Sequence, residues 1–173
     1  MDNFIFENAT KTFFGKGCVK EYLCCLTKHY GENVMFVYGG GSIRKNGVYE
    51  EMMDCCKAIS MAAVYEGDIW QDFFERPGIM EFEPLPVGVV ATAAGTGSEM
   101  NGCAVITNEE RKVKTGRDYP KCNPRFALLD PAYTCGMPRR QMISGGFAVL
   151  SRIMEIYFSA PDQEMYPTIS RKA

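Results

Sequence analysis

The sequence predicts an α/β protein whose parallel sheet is crossed by helices. Strand-type and helix-type segments alternate along the first part of the chain. The strand-type runs "NVMFVY" and "PVGVVATAA" are continuous apolar blocks, and each ends in a glycine turn. Strands buried on both faces read as such blocks, and β, α, β, α order is the sign of crossovers in a parallel sheet.

Taken in order, "FIFENATKTFFG" (4–15) alternates apolar and polar residues and predicts two short strands or a hairpin closed by Gly15. "CVKEYLCCLTKHYG" places Val19, Tyr22, Leu23 and Leu26 on one helical stripe, with Gly31 as its C-terminal stop. A buried-type strand at 33–38 and a helix over 47–65 follow. The segment 67–84 reads as a loop or short helical turn and then an extended linker with Pro77, Pro84 and Pro86 around its end. "PVGVVATAA" (86–94) is the next strand, "CAVITNEERKVKTG" (103–116) a hairpin turning at Asn108 and Glu109, and "RFALLDP" (125–131) a strand stopped by proline. The stretch 138–160 is a helix with Gly145 and Gly146 near its start.

With 173 residues, 46% of them hydrophobic, the chain has the size of one ordinary globular domain and enough apolar side chains for a real core. Its 19 basic and 21 acidic residues are interspersed, and the formal charge is −2, which argues against nucleic acid as a partner. No apolar run approaches the roughly 18 residues of a membrane span, and Asp2 stands where a signal peptide carries positive charge. A cytoplasmic protein is expected. The eight cysteines include no C-x-x-C pair and are expected to be reduced thiols, mostly buried as small apolar groups.

The two glycine turns are the candidate ligand sites. Glycines let the backbone approach an anion, and the N–H groups of the turn and of a following helix point at negative charge. In "YGGGSIRKNG" Ser42 adds a hydroxyl, and Arg44 or Lys45 a cation able to meet a ribose phosphate. By itself "GGGS" is not the fingerprint G-x-G-x-x-G, so this stretch alone reads more readily as a tight bend after a strand. The second turn, "TAAGTGSEMNG" (92–102), gathers threonines, Ser98, Glu99 and Asn101 where a doubly wound fold places its ligand crevice.

"FIFENATKTFFGKG", "VYGGGSIRKNGVY", "KAISMAAVYEGDIWQDFF", "PVGVVATAAGTGSEMNGCAVITNEERKVK", "RFALLDPAYTCGMPRRQ" and "GGFAVLSRIMEIYF" resemble, in that order, successive segments of the iron-containing alcohol dehydrogenases, most closely the butanol dehydrogenase branch. The resemblance covers nearly the whole chain, with "GTGSEMN" and "LLDP" as its most specific parts. It implies an incomplete Rossmann-like dinucleotide-binding domain over 1–137, then the first helix of an all-α metal-binding domain over 138–173. In the family a divalent metal polarises the substrate oxygen while hydride passes to or from the nicotinamide. Carried over by position, Gly39, Gly40, Gly41 and Ser42 match the turn near the adenosine ribose or its phosphate. Thr92, Thr96 and Asn101 match the loop along the nicotinamide half, and Lys114 a lysine that contacts cofactor. The implied cofactor is NADP or NAD, and Ser42 with Arg44 and Lys45 leans toward NADP.

The departures from the family pattern set the expected activity. The second family motif, G-G-G-S-x-x-D, survives only as Asp54, and the β and α elements before it are missing, with the join near Met52 and Met53. The helix positions that supply an aspartate and a histidine to the family's iron or zinc are Ala148 and Arg152 here. Alanine has no donor atom and a guanidinium no lone pair, so no bound metal is expected. His29, the single histidine, reads as a surface or capping residue. Glu50, Glu51 and Asp54 read as a solvated helix face, and Met52, Met53 and Met61 as core. The expectation is therefore a catalytically impaired member that keeps at most partial nucleotide binding, the alternative being a non-catalytic remnant or interaction module. Phe147, Leu150, Ile153, Met154 and Tyr157 form an apolar helix face, so self-association or a homo-oligomer is expected.

Overall fold

The computed structural model describes residues 8–35, 37, 49–92, 97–135 and 138–159. Strand β1 (Lys11–Phe14) leads into helix α1 (Cys18–Tyr30), and helix α2 (Tyr49–Ala62) into a π-helical turn (Trp70–Glu75). Then come β2 (Gly88–Ala91), a 3-10 turn (Ser98–Met100), the strands β3 (Cys103–Asn108) and β4 (Val113–Asp118), a 3-10 turn (Pro120–Cys122), β5 (Phe126–Leu129), and the helices α3 (Pro131–Thr134) and α4 (Arg139–Ser159). The structure is α/β with a parallel three-stranded sheet in the order β1–β5–β2.

β5 is the middle strand, in register with β1 from Lys11↔Phe126 to Phe14↔Leu129 and with β2 from Gly88↔Phe126 to Ala91↔Leu129. Its Ala127 and Leu128 are fully buried, as a central strand covered on both faces requires. The α1 stripe packs on one face, where Cys18, Val19, Phe126 and Leu128 form a core with Phe13, Tyr22, Leu23, Leu26 and Val90. β3 and β4 form the antiparallel hairpin expected over 103–116, from Cys103↔Asp118 to Asn108↔Val113. A second core joins α2, the π-helical turn and this hairpin through Ala58, Met61, Phe73, Phe74, Met80, Ala104 and Cys122.

Four sequence expectations need correction. β1 pairs in parallel with β5, 115 residues onward at Lys11↔Phe126, so the hairpin reading of 4–15 does not hold for the described part. Residues 33–35 and 37 take no strand conformation, and Val34 and Met35 are well exposed. An apolar segment becomes a strand only where a neighbour supplies the hydrogen-bond ladder, and the described sheet supplies none to it. Of the cysteines, Cys18 and Cys122 are buried, Cys56 and Cys103 half-buried, and Cys24, Cys25, Cys55 and Cys135 exposed, so most are not buried as expected; Cys24 and Cys25 both lie off the apolar stripe of α1. Asp54 is buried, not solvated, for a reason given below.

The thiols accordingly differ in reactivity. Burial pushes Cys122 up to about 11, leaving almost no thiolate near neutrality. Brief alkylation of the native protein followed by peptide mass spectrometry is expected to label Cys24, Cys25, Cys55 and Cys135 first and Cys122 last.

Helix α4 is exposed nearly from end to end, with Phe147 at 68% and Phe158 at 73%. Among the described residues no helix is long and apolar enough to cross a membrane. His29 lies exposed in the last turn of α1, its ring edge-on to Tyr30, as a surface residue should.

Candidate functional site

The three parallel strands end at one edge of the sheet, at Phe14, Leu129 and Ala91. Open α/β sheets take their ligands beyond the carboxyl ends of the strands. Asp130 follows β5 and is buried; its carboxylate accepts from the Gly17 N–H at 2.9 Å and from the Ala132 N–H at 3.0 Å. It thus caps α3 and ties the start of α1 to the end of β5. Gly17 has φ +88, a left-handed conformation that glycine adopts without strain.

The loop after β2 is the better-built part of this edge. Thr92 is half-buried at its start, while Thr96 lies outside the described residues, as do Gly39, Gly40, Gly41 and Ser42 of the first glycine turn. Gly97 (φ +67) opens the turn Ser98–Met100, and everything from there to Cys103 is gathered around Lys57. The Lys57 ammonium is fully buried and donates to the Ser98 carbonyl at 2.9 Å, the Ser98 hydroxyl at 2.8 Å, Asn101 Oδ1 at 3.2 Å and the Cys103 carbonyl at 2.7 Å. The Ser98 hydroxyl in turn donates to Asp54 Oδ1 at 3.1 Å, and the Val105 N–H donates to Asp54 Oδ2 at 2.9 Å. Lys57 and Asp54 stand 3.9 Å apart, one helical turn along α2.

A buried ammonium needs acceptors for its three N–H groups, because leaving a charge in a low-dielectric interior without partners costs several kcal/mol. Burial pushes the Lys57 ammonium below the ordinary lysine range, and Asp54 opposes that shift. The network closes on the loop itself: the Cys103 N–H donates to Asn101 Oδ1 at 3.0 Å, and Asn101 Nδ2 donates to the Gly97 carbonyl at 3.1 Å. From the other side, Asn8 Nδ2 donates to the Met100 carbonyl at 3.0 Å.

The structure therefore brings Asp54 and Asn101 together, through a residue that sequence reasoning missed. Both side chains are occupied in holding the loop. The missed signal was legible: Asp54 and Lys57 share the helical stripe of Ala58 and Met61, and polar residues on a core stripe demand partners. Lys114 stands exposed on β4, in register with Thr107.

The described residues offer no ready set of metal ligands. Among the described residues no cluster of three His, Cys, Asp or Glu side chains is placed to hold an ion. Ala148 and Arg152 are exposed on α4 and offer no lone pair to one.

The loop also has a steric requirement. A Cβ on Gly102 would overlap the Tyr119 carbonyl oxygen, and the Gly102 carbonyl accepts from the Tyr119 N–H at 3.3 Å. Gly102→Ala is expected to cost about 1–3 kcal/mol because neither backbone can give way. Thermal unfolding should show a fall of about 5 °C at this chain length.

The iron-containing alcohol dehydrogenase family model matches residues 51–131. The chain is 34% identical over 207 residues to the probable NADH-dependent butanol dehydrogenase 2 of Bacillus subtilis, which covers 91% of this chain and 52% of that protein. It is 35% identical over 127 residues to the mitochondrial hydroxyacid-oxoacid transhydrogenase of Xenopus tropicalis, covering 71% of this chain and 26% of that protein. The crystal structure of NADH-dependent butanol dehydrogenase A from Thermotoga maritima superposes with a TM-score of 0.80 at 30% identity, over 99% of this chain and 55% of that one. The chain thus spans about half the length of the curated butanol dehydrogenases it matches.

The alignment lengths differ between these relatives. The Bacillus match runs over 207 residues although 91% of this chain is about 157 residues, so roughly 50 positions of that relative face a gap here. The transhydrogenase match, at 127 residues over about 123 of this chain, is almost free of such gaps. The parallel sheet, the loop held by Asp54 and Lys57, and the matches across 91% of its length make this chain a member of the iron-containing alcohol dehydrogenase family.

Proposed function

We propose that the chain is a catalytically impaired oxidoreductase of this family that keeps partial nicotinamide-nucleotide binding and does not turn over alcohols by itself. The observation that carries the reading is the loop 97–103, still tied to α2 by the Lys57 ammonium through Ser98, Asn101 and Cys103, together with Ala148 and Arg152 at the α4 positions where the resemblance implies metal ligands. In this reading residues 1–137 form the dinucleotide-binding part, lacking one phosphate cradle, and 138–173 begin a helical metal-binding part. Gly39, Gly40, Gly41 and Ser42 meet the adenosine ribose or its phosphate, and Thr92, Thr96 and Lys114 the nicotinamide half, with Asp54 and Asn101 supporting the loop.

Titration with NADPH and NADH, followed by nicotinamide fluorescence and thermal shift together, tests this. Saturation below about 1 mM, with NADPH the tighter through Ser42, Arg44 and Lys45, is the expected result. No response at several millimolar overturns nucleotide binding and leaves the remnant reading. Alcohol-dependent nicotinamide reduction in the presence of added iron or zinc would overturn the impaired-enzyme reading.

A second reading, an interaction module, rests on α4. Ile143, Phe147, Leu150, Met154 and Tyr157 recur at alternating spacings of four and three, all exposed, which is the seam pattern of helix pairing. Self-association through this seam is compatible with nucleotide binding on the sheet edge.

A further inference from the structure

The turn Ser98–Met100 is gripped from two sides by side chains distant from it in the chain. Lys57 of α2 holds its first residue, Ser98, through both the hydroxyl and the carbonyl. Asn8, which precedes β1, holds its last: Asn8 Nδ2 donates to the Met100 carbonyl at 3.0 Å across 92 positions of sequence. The other end of the Asn8 amide is fixed as well, because its Oδ1 accepts from the Thr10 N–H at 2.8 Å. An asparagine that closes on the backbone N–H two residues onward forms a compact turn, and its planar amide then has a set direction for its donors. Thr10 is buried, and β1 starts at the next residue, where the Lys11 N–H donates to the Arg125 carbonyl at 3.2 Å. Asn8 is therefore anchored to the sheet, and it carries the position of the sheet to the turn.

Within the loop, the Met100 N–H donates to the Gly97 carbonyl at 3.0 Å, and Asn101 Nδ2 donates to the same carbonyl at 3.1 Å. Those bonds set the shape of the turn. They do not set where it stands relative to the strand ends, since both partners travel with the loop. Groups outside the loop decide that. Lys57 and Asp54 answer for Ser98 and Cys103 from α2, and Asn8 answers for Met100 from the start of β1. A ligand packed against a loop already held in place binds without the cost of ordering it, whereas a loop free to shift adds that cost to binding.

We propose that Asn8 is a positioning residue for the nucleotide, setting through the Met100 carbonyl the loop that serves the nicotinamide half; the inference rests on the nucleotide binding proposed above. Asn8→Asp is the sharpest test, because it keeps the oxygen that accepts from Thr10 and removes the donor to Met100. The full chain and the variant are titrated calorimetrically with NADH and, separately, with ADP-ribose. ADP-ribose lacks the nicotinamide ring but carries the same two phosphates, so the negative charge introduced at position 8 acts on both ligands alike. Asn8→Asp is expected to raise the NADH dissociation constant about fivefold to tenfold, the worth of one hydrogen bond, and to leave ADP-ribose within about twofold. A merely structural role would weaken both ligands together. Asn8→Ser, whose hydroxyl still accepts from the Thr10 N–H but is too short to reach Met100, supplies a second variant should the first fail to fold, with the same split expected. NADH binding unmoved in the folded variants, or NADH and ADP-ribose weakened equally, overturns the proposal and leaves nucleotide binding standing. A wild-type chain that binds neither ligand overturns both.

Discussion

Lys57→Met is expected to destabilise the protein by about 3–5 kcal/mol, the usual cost of removing one partner from a buried charge pair. The substitution keeps most of the side-chain volume but strips a donor from the Ser98 hydroxyl and carbonyl, Asn101 Oδ1 and the Cys103 carbonyl together. It also leaves the Asp54 carboxylate buried with the Ser98 hydroxyl and the Val105 N–H as its remaining partners. For a chain of this length the melting temperature should fall by about 10 °C, as read by circular dichroism or calorimetry. The variants Asp54→Asn and Lys57→Met together should cost clearly less than the sum of the two, because the first already removes the charge that the second would strand. A loss under about 1 kcal/mol for Lys57→Met, or strict additivity, would contradict the clamp.

The same group has a pH signature. Burial holds the folded Lys57 ammonium below its ordinary value of 10.5, so in the alkaline window between the two values the unfolded chain binds the proton that the folded chain has released. Stability rises with pH wherever the unfolded state binds more protons, so this group adds stability through that window. Lys57→Met lacks the contribution, and the gap between the two proteins is expected to widen as the pH rises toward 10.5 in urea titrations.

Replacing Leu150 and Met154 with glutamate is expected to abolish self-association while leaving the melting temperature of the α/β body in place. Both residues sit at the centre of the α4 seam, 50% and 46% exposed, where they bury little within the chain and so contribute little to its own folding. A charge at each of two neighbouring seam positions repels its counterpart on a second copy and forfeits the apolar burial that drives pairing. Sedimentation velocity at micromolar concentrations should show the wild-type chain associating with increasing concentration and the variant as a monomer. A compact wild-type monomer across that range would remove the basis for the seam.

Most of the secondary structure was legible because its signals are local. The α1 stripe with Gly31 behind it, the hairpin, and the proline stop after β5 each depend on residues within a turn or two of one another, and each formed, the hairpin turning over 109–112 with Asn108 paired to Val113 rather than in the turn. The segment 33–35 shows the limit of that reasoning: its composition is that of a strand, yet a strand also needs a partner ladder, which local composition does not report. The π-helical turn over Trp70–Glu75 was readable only as a loop or short helical turn, since nothing in "WQDFFE" distinguishes one helical pitch from another.

The sequence by itself determined the α/β class, the family and most of the local elements, because these follow from residue identity and short-range periodicity. Only the tertiary structure decided that β1 pairs with β5, that Asp54 faces inward, that Lys57 holds residues 98–103, and that Asn8 reaches the Met100 carbonyl. Those facts join residues more than 40 positions apart. Such pairs meet only when the whole chain packs, and whether a charged side chain is solvated or caged is set by what lands opposite it.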